Sequence, residues 1–433
     1  MKLAFRLVQI AVSAISLGSS LASAESLDFL KINGQVRSYY FSRLNNAPGV
    51  PDANAFSAGG ILNIETKPFL GGFGAGISFF TANSLGLNND KPGHTDVTLM
   101  GNGSSLNALG QAFLQYKNSN VLIRAGDQVI NTPWLGSSDS RLLPATYQGV
   151  YAEIAPIENL KLYGLRINKW KSRTSNDYYK DNLYYPTTYA GDSLYGSASA
   201  LGAGAQQSSG VAAFGASYTT PAIMAQAWYY DFYKFAKMAY GDATYTYQTG
   251  SGFDPFIGAQ LIHEENSDSL LNGVKLDTQV GSGVKATASG VKVGMNSPYG
   301  QFTLAYNKIL SHAGAVGGGA LVSPYTVGYA TDPLYTTSMI RGLVEQGPGN
   351  AIKIAYTKSF LDKKLLLAAS YAQYRTTYFG NSHDTYLDLT YFPKGKLKGL
   401  SVRDRVEVSN GGTGLNPGNK SFVYNRVMLQ YSF

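Results

Sequence analysis

The chain has 433 residues, a formal net charge of +8 at pH 7, 49 Gly and 32 Tyr, and it contains no Cys. The absence of Cys excludes a disulfide framework, which a chain of this length does not need. Only 14% of the residues are charged, which excludes a disordered polar chain and is unusual for a soluble enzyme. The basic residues are dispersed rather than gathered into one patch, so we expect no nucleic-acid partner.

The first 24 residues have the pattern of a secretory signal peptide. Lys2 and Arg6 precede an apolar stretch that ends in Ala22-Ser23-Ala24. A membrane anchor is the alternative, but serines interrupt the apolar run, which falls short of the ~20 residues that a spanning helix needs. We therefore expect residues 1–24 to be removed, leaving a single domain of residues 25–433.

The rest of the chain repeats short segments in which apolar and polar residues alternate. The first, LKINGQVRSYYF at 30–41, directs Leu30, Ile32 and Val36 to one face and polar side chains to the other. Further segments of this kind are GGILNIET, QAFLQY, NVLIRAG, VYAEIA, QFTLAYN and LDLTYF. Each spans roughly 8–13 residues, the length of a tilted strand that crosses a membrane. Strict alternation predicts strands whose two faces meet two different solvents.

The connections between these segments alternate between short and long. The short ones, at 67–72, 117–120, 156–159, 219–222, 297–300 and 359–362, contain turn residues; the long ones lie around 83–104, 129–146, 171–209, 265–282 and 311–350. This asymmetry is typical of outer-membrane barrels. We predict an all-β fold, a transmembrane antiparallel β-barrel of about 18 strands with long extracellular loops and short periplasmic turns.

The final segment, YNRVMLQYSF at 424–433, places Val427, Leu429, Tyr431 and Phe433 at every second position. We expect these side chains to face lipid and the last strand to pair with the first, because an unpaired edge is not tolerated in a membrane. The terminal aromatic residue also resembles the signal that barrel-insertion machinery recognises. A secreted sandwich or propeller is the alternative fold, but it explains neither this ending nor the one-sided loop lengths.

Three stretches resemble the OprD family of substrate-selective porins. Residues 123–154, IRAGDQVINTPWLGSSDSRLLPATYQGVYAEI, resemble the family's segment around the third extracellular loop, where R-x-G leads into a Pro-containing loop and an R-L-L-P return. Residues 397–408, LKGLSVRDRVEV, resemble its penultimate strand, and residues 332–339, DPLYTTSM, its seventh loop. The resemblance implies an 18-stranded pore, usually monomeric, with a trimer left open. It also implies a third loop, about 129–146, that folds inward, and a ladder of basic side chains facing acidic groups.

The alternation identifies candidate members of that ladder. When Val402 and Val406 face lipid, Arg403 and Arg405 point into the lumen; Arg426 and Arg124 do so on the corresponding phases of their own strands. Each arginine could instead be a solvated wall residue paired with a carboxylate. A row of guanidinium groups is the stronger pattern, because they match carboxylates bidentately and allow a solute to pass from one to the next. The predicted pore residues are Arg124, Arg141, Arg403, Arg405, Arg426, Asp332 and Tyr147.

Several of these assignments have open alternatives. Arg141 either faces the constriction or pairs with Asp139 or Asp127 to hold the third loop. Asp332 is the candidate acidic group opposite the arginines. Three aromatic residues either line the entrance or pack within loops: Trp134, Tyr147 and Tyr335.

Asp404 departs from the family pattern. It stands where the family has an apolar residue, and the phase that sends Arg403 and Arg405 inward sends it toward lipid. Either it lies near the periplasmic rim or a bulge changes the phase.

Nothing in the sequence favours catalysis. The chain has four His, and none belongs to an H-E-x-x-H motif or accompanies a G-x-S-x-G elbow. We predict that the protein is not an enzyme and has no cofactor, with a lipase-like barrel as the alternative. His263, Glu264, Glu265 and Asp268 could hold a divalent cation, but carboxylates alone do not define a coordination shell, so we predict no metal site.

These observations favour a passive, substrate-selective diffusion channel of the outer membrane for small anionic or zwitterionic solutes. Its expected partners are outer-membrane lipid, lipopolysaccharide and small organic solutes. The alternative is a surface barrel whose loops 171–209 and 311–350 act in adhesion or scaffolding.

Overall fold

A computed structural model describes residues 29–137, 140–180, 210–266, 272–276, 279–325, 332–377, 380–412 and 420–433, with the side chains of 272–282 excepted. Within these ranges, eighteen strands pair antiparallel with their neighbours in one closed barrel. The predicted fold class is therefore confirmed. Residues 1–28, which include the predicted signal peptide, lie outside the described ranges. Among the described residues, no helix has the length and apolar character required to span a membrane.

The barrel strands follow one another around the wall in chain order. The first eleven are β1 Leu30–Asn45, β2 Ala53–Thr66, β3 Phe73–Asn83, β4 Ser105–Lys117, β5 Val121–Gln128, β6 Thr146–Ile157, β7 Leu160–Lys171, β8 Val211–Thr219, β9 Ile223–Phe232, β10 Ala236–Thr246 and β11 Asp254–Asn266. The last seven are β14 Lys285–Ser297, β15 Gly300–Ile309, β16 Gly349–Phe360, β17 Leu365–Thr376, β18 Gly380–Tyr391, β19 Leu400–Gly411 and β20 Phe422–Ser432. A separate hairpin, β12 Asn272–Leu276 and β13 Gln279–Ser282, belongs to the connection between β11 and β14.

The barrel closes through β1 and β20, which pair from Gln35 with Ser432 to Asn45 with Phe422. Gly34 and Phe433 extend this ladder by one residue pair beyond Gln35 and Ser432. Each donates its backbone N–H to the carbonyl oxygen of the other, at 3.1 and 3.0 Å. The Phe433 ring lies against Gly34, at a distance that leaves no room for a side chain there. The expected pairing of the last strand with the first is confirmed, and each of the described barrel strands is paired on both sides.

The connections at the two ends of the barrel differ in length as predicted. At one end, here called the turn end, residues 67–72, 118–120 and 158–159 join consecutive strands tightly. At the other, the loop end, residues 84–104, 129–145 and 310–348 form long connections, called L2, L3 and L7. Within the described ranges, the connections include the 3-10 helical turns Val316–Gly318 and Gly395–Leu397. The hairpin β12–β13 is a feature that the sequence pattern did not predict.

Side chains on each strand alternate between the lumen and the outer surface. On β16, Ile352 and Ile354 are exposed on the outside, whereas Ala351 is buried inside. At the turn end, the outer surface carries contacting aromatic rings, including Phe302 with Tyr356 at 4.7 Å. The buried side chains lie inside the barrel, where those of L3 and L7 pack against the wall in two clusters. The wall and these two connections therefore form the site.

Candidate functional site

Three adjacent strands, β19, β20 and β1, place arginine side chains on one part of the lumen wall. Arg405 of β19 is directly opposite Arg426 of β20 in the strand register. Arg426 is in turn opposite Phe41 of β1. Because the side-chain period of a strand is two, Arg403 of β19 and Arg37 of β1 share this inward face. We call these four arginines the basic wall.

Arg403 and Arg405 share one carboxylate on the neighbouring strand β18. Arg403 donates from Nε and Nη2 to the two oxygens of Asp388, at 2.9 and 2.5 Å. The Nε of Arg405 lies 3.6 Å from Asp388 and donates to the Tyr386 hydroxyl at 2.8 Å. The Arg403 side chain keeps 35% of its surface exposed, against 12% for Arg405. A solute in the lumen can therefore contact Arg403 more readily than Arg405.

Arg426 lies between aromatic rings and is almost fully buried. Its guanidinium carbon is 4.3 Å from the centre of the Tyr424 ring and 4.9 Å from that of Phe41. Aromatic faces stabilise a cation where water is excluded. Arg426 thus supplies positive charge to the wall without exposing its guanidinium fully.

The loop end of the basic wall is tied to L2 through Asp96. Arg43 of β1 approaches Asp96 to 3.5 Å, and the Thr98 hydroxyl donates to the same carboxylate at 2.7 Å. Burial alone would raise the pKa of Asp96, but the Arg43 charge and hydrogen bonds from Tyr424 and Thr98 hold that pKa below its usual value. The carboxylate therefore stays ionised and holds L2 on the wall.

L3 contacts the same wall through Arg37 and Arg141. Arg37 donates to the carbonyl oxygens of Leu142 at 2.9 Å and Arg141 at 3.4 Å. Arg141 donates from Nε to the Thr98 carbonyl oxygen at 2.5 Å and is 3% exposed. The two arginines thus join L3, L2 and β1, and this part of L3 lies inside the barrel.

The other part of L3 packs against strands β6, β9 and β10. Trp134 is fully buried, donates from its backbone N–H to the Tyr230 hydroxyl at 3.4 Å and meets Tyr240 edge-on. Tyr147 is equally buried and donates to the Gly136 carbonyl oxygen at 2.9 Å. These two aromatic residues fix L3 from within rather than presenting a free surface to solutes.

L7 is attached to the lumen face of β18 and β19 by buried carboxylates. Glu407 accepts hydrogen bonds from the backbone N–H groups of Met339 at 2.6 Å and Ile340 at 3.2 Å. Arg341 lies 3.4 Å from Asp384, and both side chains are fully buried. Charged groups bury favourably only when paired or hydrogen-bonded, so these contacts define one seated position for L7.

Asp332 organises L7 locally. Its carboxylate accepts hydrogen bonds from the Leu334 N–H at 2.8 Å and the Thr337 hydroxyl at 2.5 Å. Burial raises the pKa of Asp332 to about 7, although the nearby Lys353 charge lowers it. The neighbouring Tyr335 donates its hydroxyl to Asp242 of β10 and so joins L7 to that strand.

A lumen cavity of about 460 Å³ lies away from the basic wall, between L3 and strands β6 to β10. Its lining includes Glu153, Asp242, Tyr151, Tyr163 and Trp228. The Tyr163 and Trp228 rings stack at 4.9 Å, and Glu153 forms an ion pair with Lys161 at 2.7 Å. This wall therefore offers carboxylates and aromatic faces where the other offers arginines.

A closed barrel with two long loops folded inward against its lumen wall is the architecture of a selective pore. The family model described as "outer membrane porin, OprD family" matches residues 27–312. The chain belongs to the OprD family of outer-membrane porins. Members of this family are outer-membrane porins, and their fold is that of a substrate-specific channel.

Solved structures agree with this assignment at the level of the fold. Pseudomonas aeruginosa OccK9 (OpdG) matches with a TM-score of 0.73 and 18% identity over 93% of this chain and 98% of that one. Acinetobacter baumannii OccAB4 matches with a TM-score of 0.74 and 16% identity over 94% and 98%. P. aeruginosa OpdK, in its structure with vanillate, matches with a TM-score of 0.72 and 16% identity over 93% and 98%. Comparison with curated proteins gave no match.

In this OprD-family barrel, the sequence-predicted residues separate into groups. The structure brings Arg403, Arg405 and Arg426 together on the basic wall, with Arg141 beside it in L3. Arg124 lies on β5, separated from β1 by three strands, where it donates to Gln115 at 2.8 Å and lies over the Phe113 ring. Asp139, one proposed partner of Arg141, lies outside the described residues.

The phase around Asp404 is settled by the strand pairing. Both β18–β19 and β19–β20 pair without a register shift through this position, so no bulge occurs there. Asp404 therefore faces outward and accepts a hydrogen bond from Asn425 at 2.6 Å. This partner reduces the number of unsatisfied carboxylate oxygens on the lipid-facing surface.

The acidic segment that follows Ile262 does not form a metal site in the described part of the chain. Glu264 points inward and is buried, whereas His263 and Glu265 are exposed on the outer side of β11. Asp268 falls outside the described ranges. Across those ranges, no group of three potential ligands lies together.

Sequence analysis missed three residues that hold the site together: Arg37, Asp388 and Glu407. Each lies on an alternating segment in phase with its inward neighbours, and Glu407 directly continues the series Arg403 and Arg405. The alternation could therefore have placed them in the lumen. It could not have identified their partners in L3, L7 and the adjacent strand, since those contacts join distant parts of the chain.

Proposed function

We propose that this porin mediates passive, substrate-selective diffusion of small carboxylate-bearing solutes, guided by Arg403, Arg405 and Arg426. The observation that carries the proposal is the grouping of these cations on adjacent strands, with Arg403 the most exposed. Guanidinium groups match carboxylates bidentately and stay charged at all physiological pH values. A carboxylate entering the lumen would thus meet Arg403 directly, with the more buried Arg405 and Arg426 adding positive charge behind it.

Asp388 explains how such a solute could leave again. It already occupies Arg403 bidentately, so a solute carboxylate must compete with it rather than fill a vacant site. A channel requires binding that is favourable enough to admit the solute and weak enough to release it. The shared carboxylate lowers the affinity of the basic wall and favours rapid exchange.

The side chains on the opposite wall would favour solutes that also carry a positive charge or an aromatic ring. Glu153 and Asp242 line the cavity there, together with the stacked Tyr163 and Trp228 rings. Vanillate, named with the related barrel OpdK, combines an aromatic ring with a carboxylate. That chemistry fits an arginine wall facing an aromatic one, and L3 and L7 would bring the two walls within reach of a single solute.

The functional unit proposed here is one chain. Every barrel strand finds both of its neighbours within the same chain, so closure requires no second subunit. The surrounding partner is outer-membrane lipid, including lipopolysaccharide.

Planar-bilayer recording and liposome swelling test this proposal. Purified, folded protein should conduct ions, and swelling should be faster with benzoates or amino acids than with neutral sugars of equal size. The variant R403A/R405A should reduce carboxylate uptake by at least about tenfold while sugar uptake changes little, because the loss of even one charge-assisted contact of about 1.5–3 kcal/mol corresponds to a factor of ten or more. Absence of ion current would overturn the channel, and an equal loss for sugars and carboxylates would overturn the role of the arginines.

The variant R124A provides a matched control. Arg124 is also a lumen arginine, but it lies on β5, away from the basic wall. A loss of carboxylate uptake in R124A as large as that in R403A/R405A would show that only the total lumen charge matters.

A further inference from the structure

The outer surface of the barrel near its loop end carries a group of basic side chains that the channel does not use. They lie on strands β11, β14, β15 and β17 and at the start of L7. The group, called the outer basic band, consists of His263, Lys285, Lys308, His312 and Arg375. Four of these side chains are exposed, and His312 is partly exposed.

The two histidines and Lys285 form one end of the band. His263 and His312 both contact the Thr287 hydroxyl, at 3.3 and 3.1 Å. Partial burial, together with the charges of Lys285 and His263, lowers the pKa of His312. Among the described residues, the acidic Glu265 lies 4.0 Å from His263 and is directly opposite Lys285 in the strand register. These contacts place two imidazole rings at one hydroxyl on the outer wall, with the charge of Lys285 close to His312.

Lys308 and Arg375 form the other end. In the strand register, Lys308 is opposite Asn350, and Asn350 is opposite Arg375. Adjacent strands lie about 4.8 Å apart, so the Cα atoms of the two cations are separated by roughly 10 Å, with an amide between them. This arrangement offers two positive charges and hydrogen-bond donors to a single anionic group or to two neighbouring ones.

An exposed apolar strip lies directly below the band, toward the turn end. At the next outward position toward the turn end stand Leu261 below His263, Tyr306 below Lys308 and Ile352 below Asn350, which are 67%, 39% and 43% exposed. Val291 of β14 is opposite Tyr306 in the register and is 53% exposed. The outer wall therefore changes from basic to apolar over a single residue pair on β11 and β15, whereas Thr287 and Ser289 intervene on β14 and the polar Gln373 lies below Arg375 on β17. The opposite side of the barrel differs, because outward positions near the loop end of β20, β1 and β3 carry the uncharged Asn425, Ser42 and Asn83.

We propose that the outer basic band binds the phosphate groups of a phosphorylated glycolipid of the outer leaflet, the lipid A portion of lipopolysaccharide. Phosphates match the lysine and arginine charges, and the acyl chains of the same molecule lie along the apolar strip beneath. A free phosphate would use the band but not the strip. The inference depends on the outer-membrane location of this family and not on the solute that the channel carries.

Native mass spectrometry of the purified barrel in detergent tests the site with lipid A as the probe. The variant K285Q/K308Q/R375Q should bind lipid A about tenfold or more weakly than the wild type, since each basic residue near an anionic lipid surface contributes measurably. The control variant K358Q/K363Q/K398Q removes the same number of cations at the turn end, and it should bind lipid A as the wild type does. Equal binding by wild type and K285Q/K308Q/R375Q would overturn the proposal.

Three further probes separate the sources of the anion. Dephosphorylated lipid A should bind the wild type no better than it binds K285Q/K308Q/R375Q. Inorganic phosphate should not compete with lipid A, and phosphatidylglycerol should bind more weakly; equal affinity of either for the wild type would exclude a glycolipid site. Bilayer current from K285Q/K308Q/R375Q should match that of the wild type, so the result is independent of the channel proposal and also reports correct folding.

Discussion

Arg403 and Asp388 form a bidentate pair across β18 and β19, with N–O distances of 2.9 and 2.5 Å, on the lumen wall where the most exposed arginine stands. The same carboxylate lies 3.6 Å from Arg405 and accepts the Tyr386 hydroxyl at 2.7 Å. Asp388 thus partly neutralises Arg403 and Arg405 and weakens the electrostatic attraction between the basic wall and an anionic solute.

Asp388→Asn should increase the selectivity of the channel for anions. The variant keeps the shape of the wall but removes the carboxylate that neutralises Arg403 and Arg405. We expect the anion-to-cation permeability ratio, measured as a reversal potential in a salt gradient, to rise by about two- to fivefold. Asp404→Asn is the matched control, because Asp404 faces the outer surface; a similar rise in that variant would show that the effect does not arise in the lumen.

Glu407→Gln should loosen L7. The two carboxyl oxygens each accept one backbone N–H of L7, whereas the amide of Gln has a single acceptor oxygen. One buried N–H would lose its partner, at a cost of about 1–3 kcal/mol. Single-channel records should show more frequent transitions between conductance levels. Glu265→Gln, on the outer surface of β11, is the control and should leave the records unchanged. If Glu407→Gln showed no more transitions than the wild type, other contacts would be sufficient to hold L7 in place.

Asp332 should make L7 sensitive to pH. Its pKa is raised from 3.8 to about 7, so the folded loop favours the protonated acid. Below about pH 4 the acid is protonated whether L7 is seated or released, and the seated position is then most stable. As the pH rises from about 4 to about 7, the released loop loses the proton more readily, so the seated position of L7 becomes less stable. Gating frequency in the wild type should therefore increase over this range.

Asp332→Asn should remove that pH dependence, because the amide oxygen can still accept from Leu334 and Thr337 without ionising. The control is Asp362→Asn, in an exposed turn, which should retain the wild-type slope. A persistent slope in Asp332→Asn would assign the titration to another group.

Gly34→Val should impair closure of the barrel. A Cβ at this position would lie 2.6 Å from the Ile61 carbonyl oxygen and 2.7 Å from the Phe433 ring, and overpacking of this kind costs about 1–3 kcal/mol. The folded fraction on heat-modifiability gels should fall, and the midpoint in urea should decrease. Gly241→Val is the control, since nothing lies within 4 Å of that Cβ position; equal loss in both variants would attribute the effect to valine itself.

The sequence alone determined the strands, their faces and the division of connections into short and long. These properties follow from local patterns, because a period of two assigns each side chain to a face without knowledge of its neighbours. Arg403 and Arg405 are inward for that reason, and Phe433 belongs to the strand that closes the barrel for the same reason.

Only the tertiary structure decided which inward groups meet. Asp388 pairs with Arg403 through the register of β18 and β19, and Glu407 meets Met339 through a loop that crosses the lumen. Arg141 contacts Thr98, a partner that the sequence did not suggest. Such contacts depend on the closure of all eighteen strands within the described chain and on the path of long loops, and neither is encoded in the spacing of neighbouring residues.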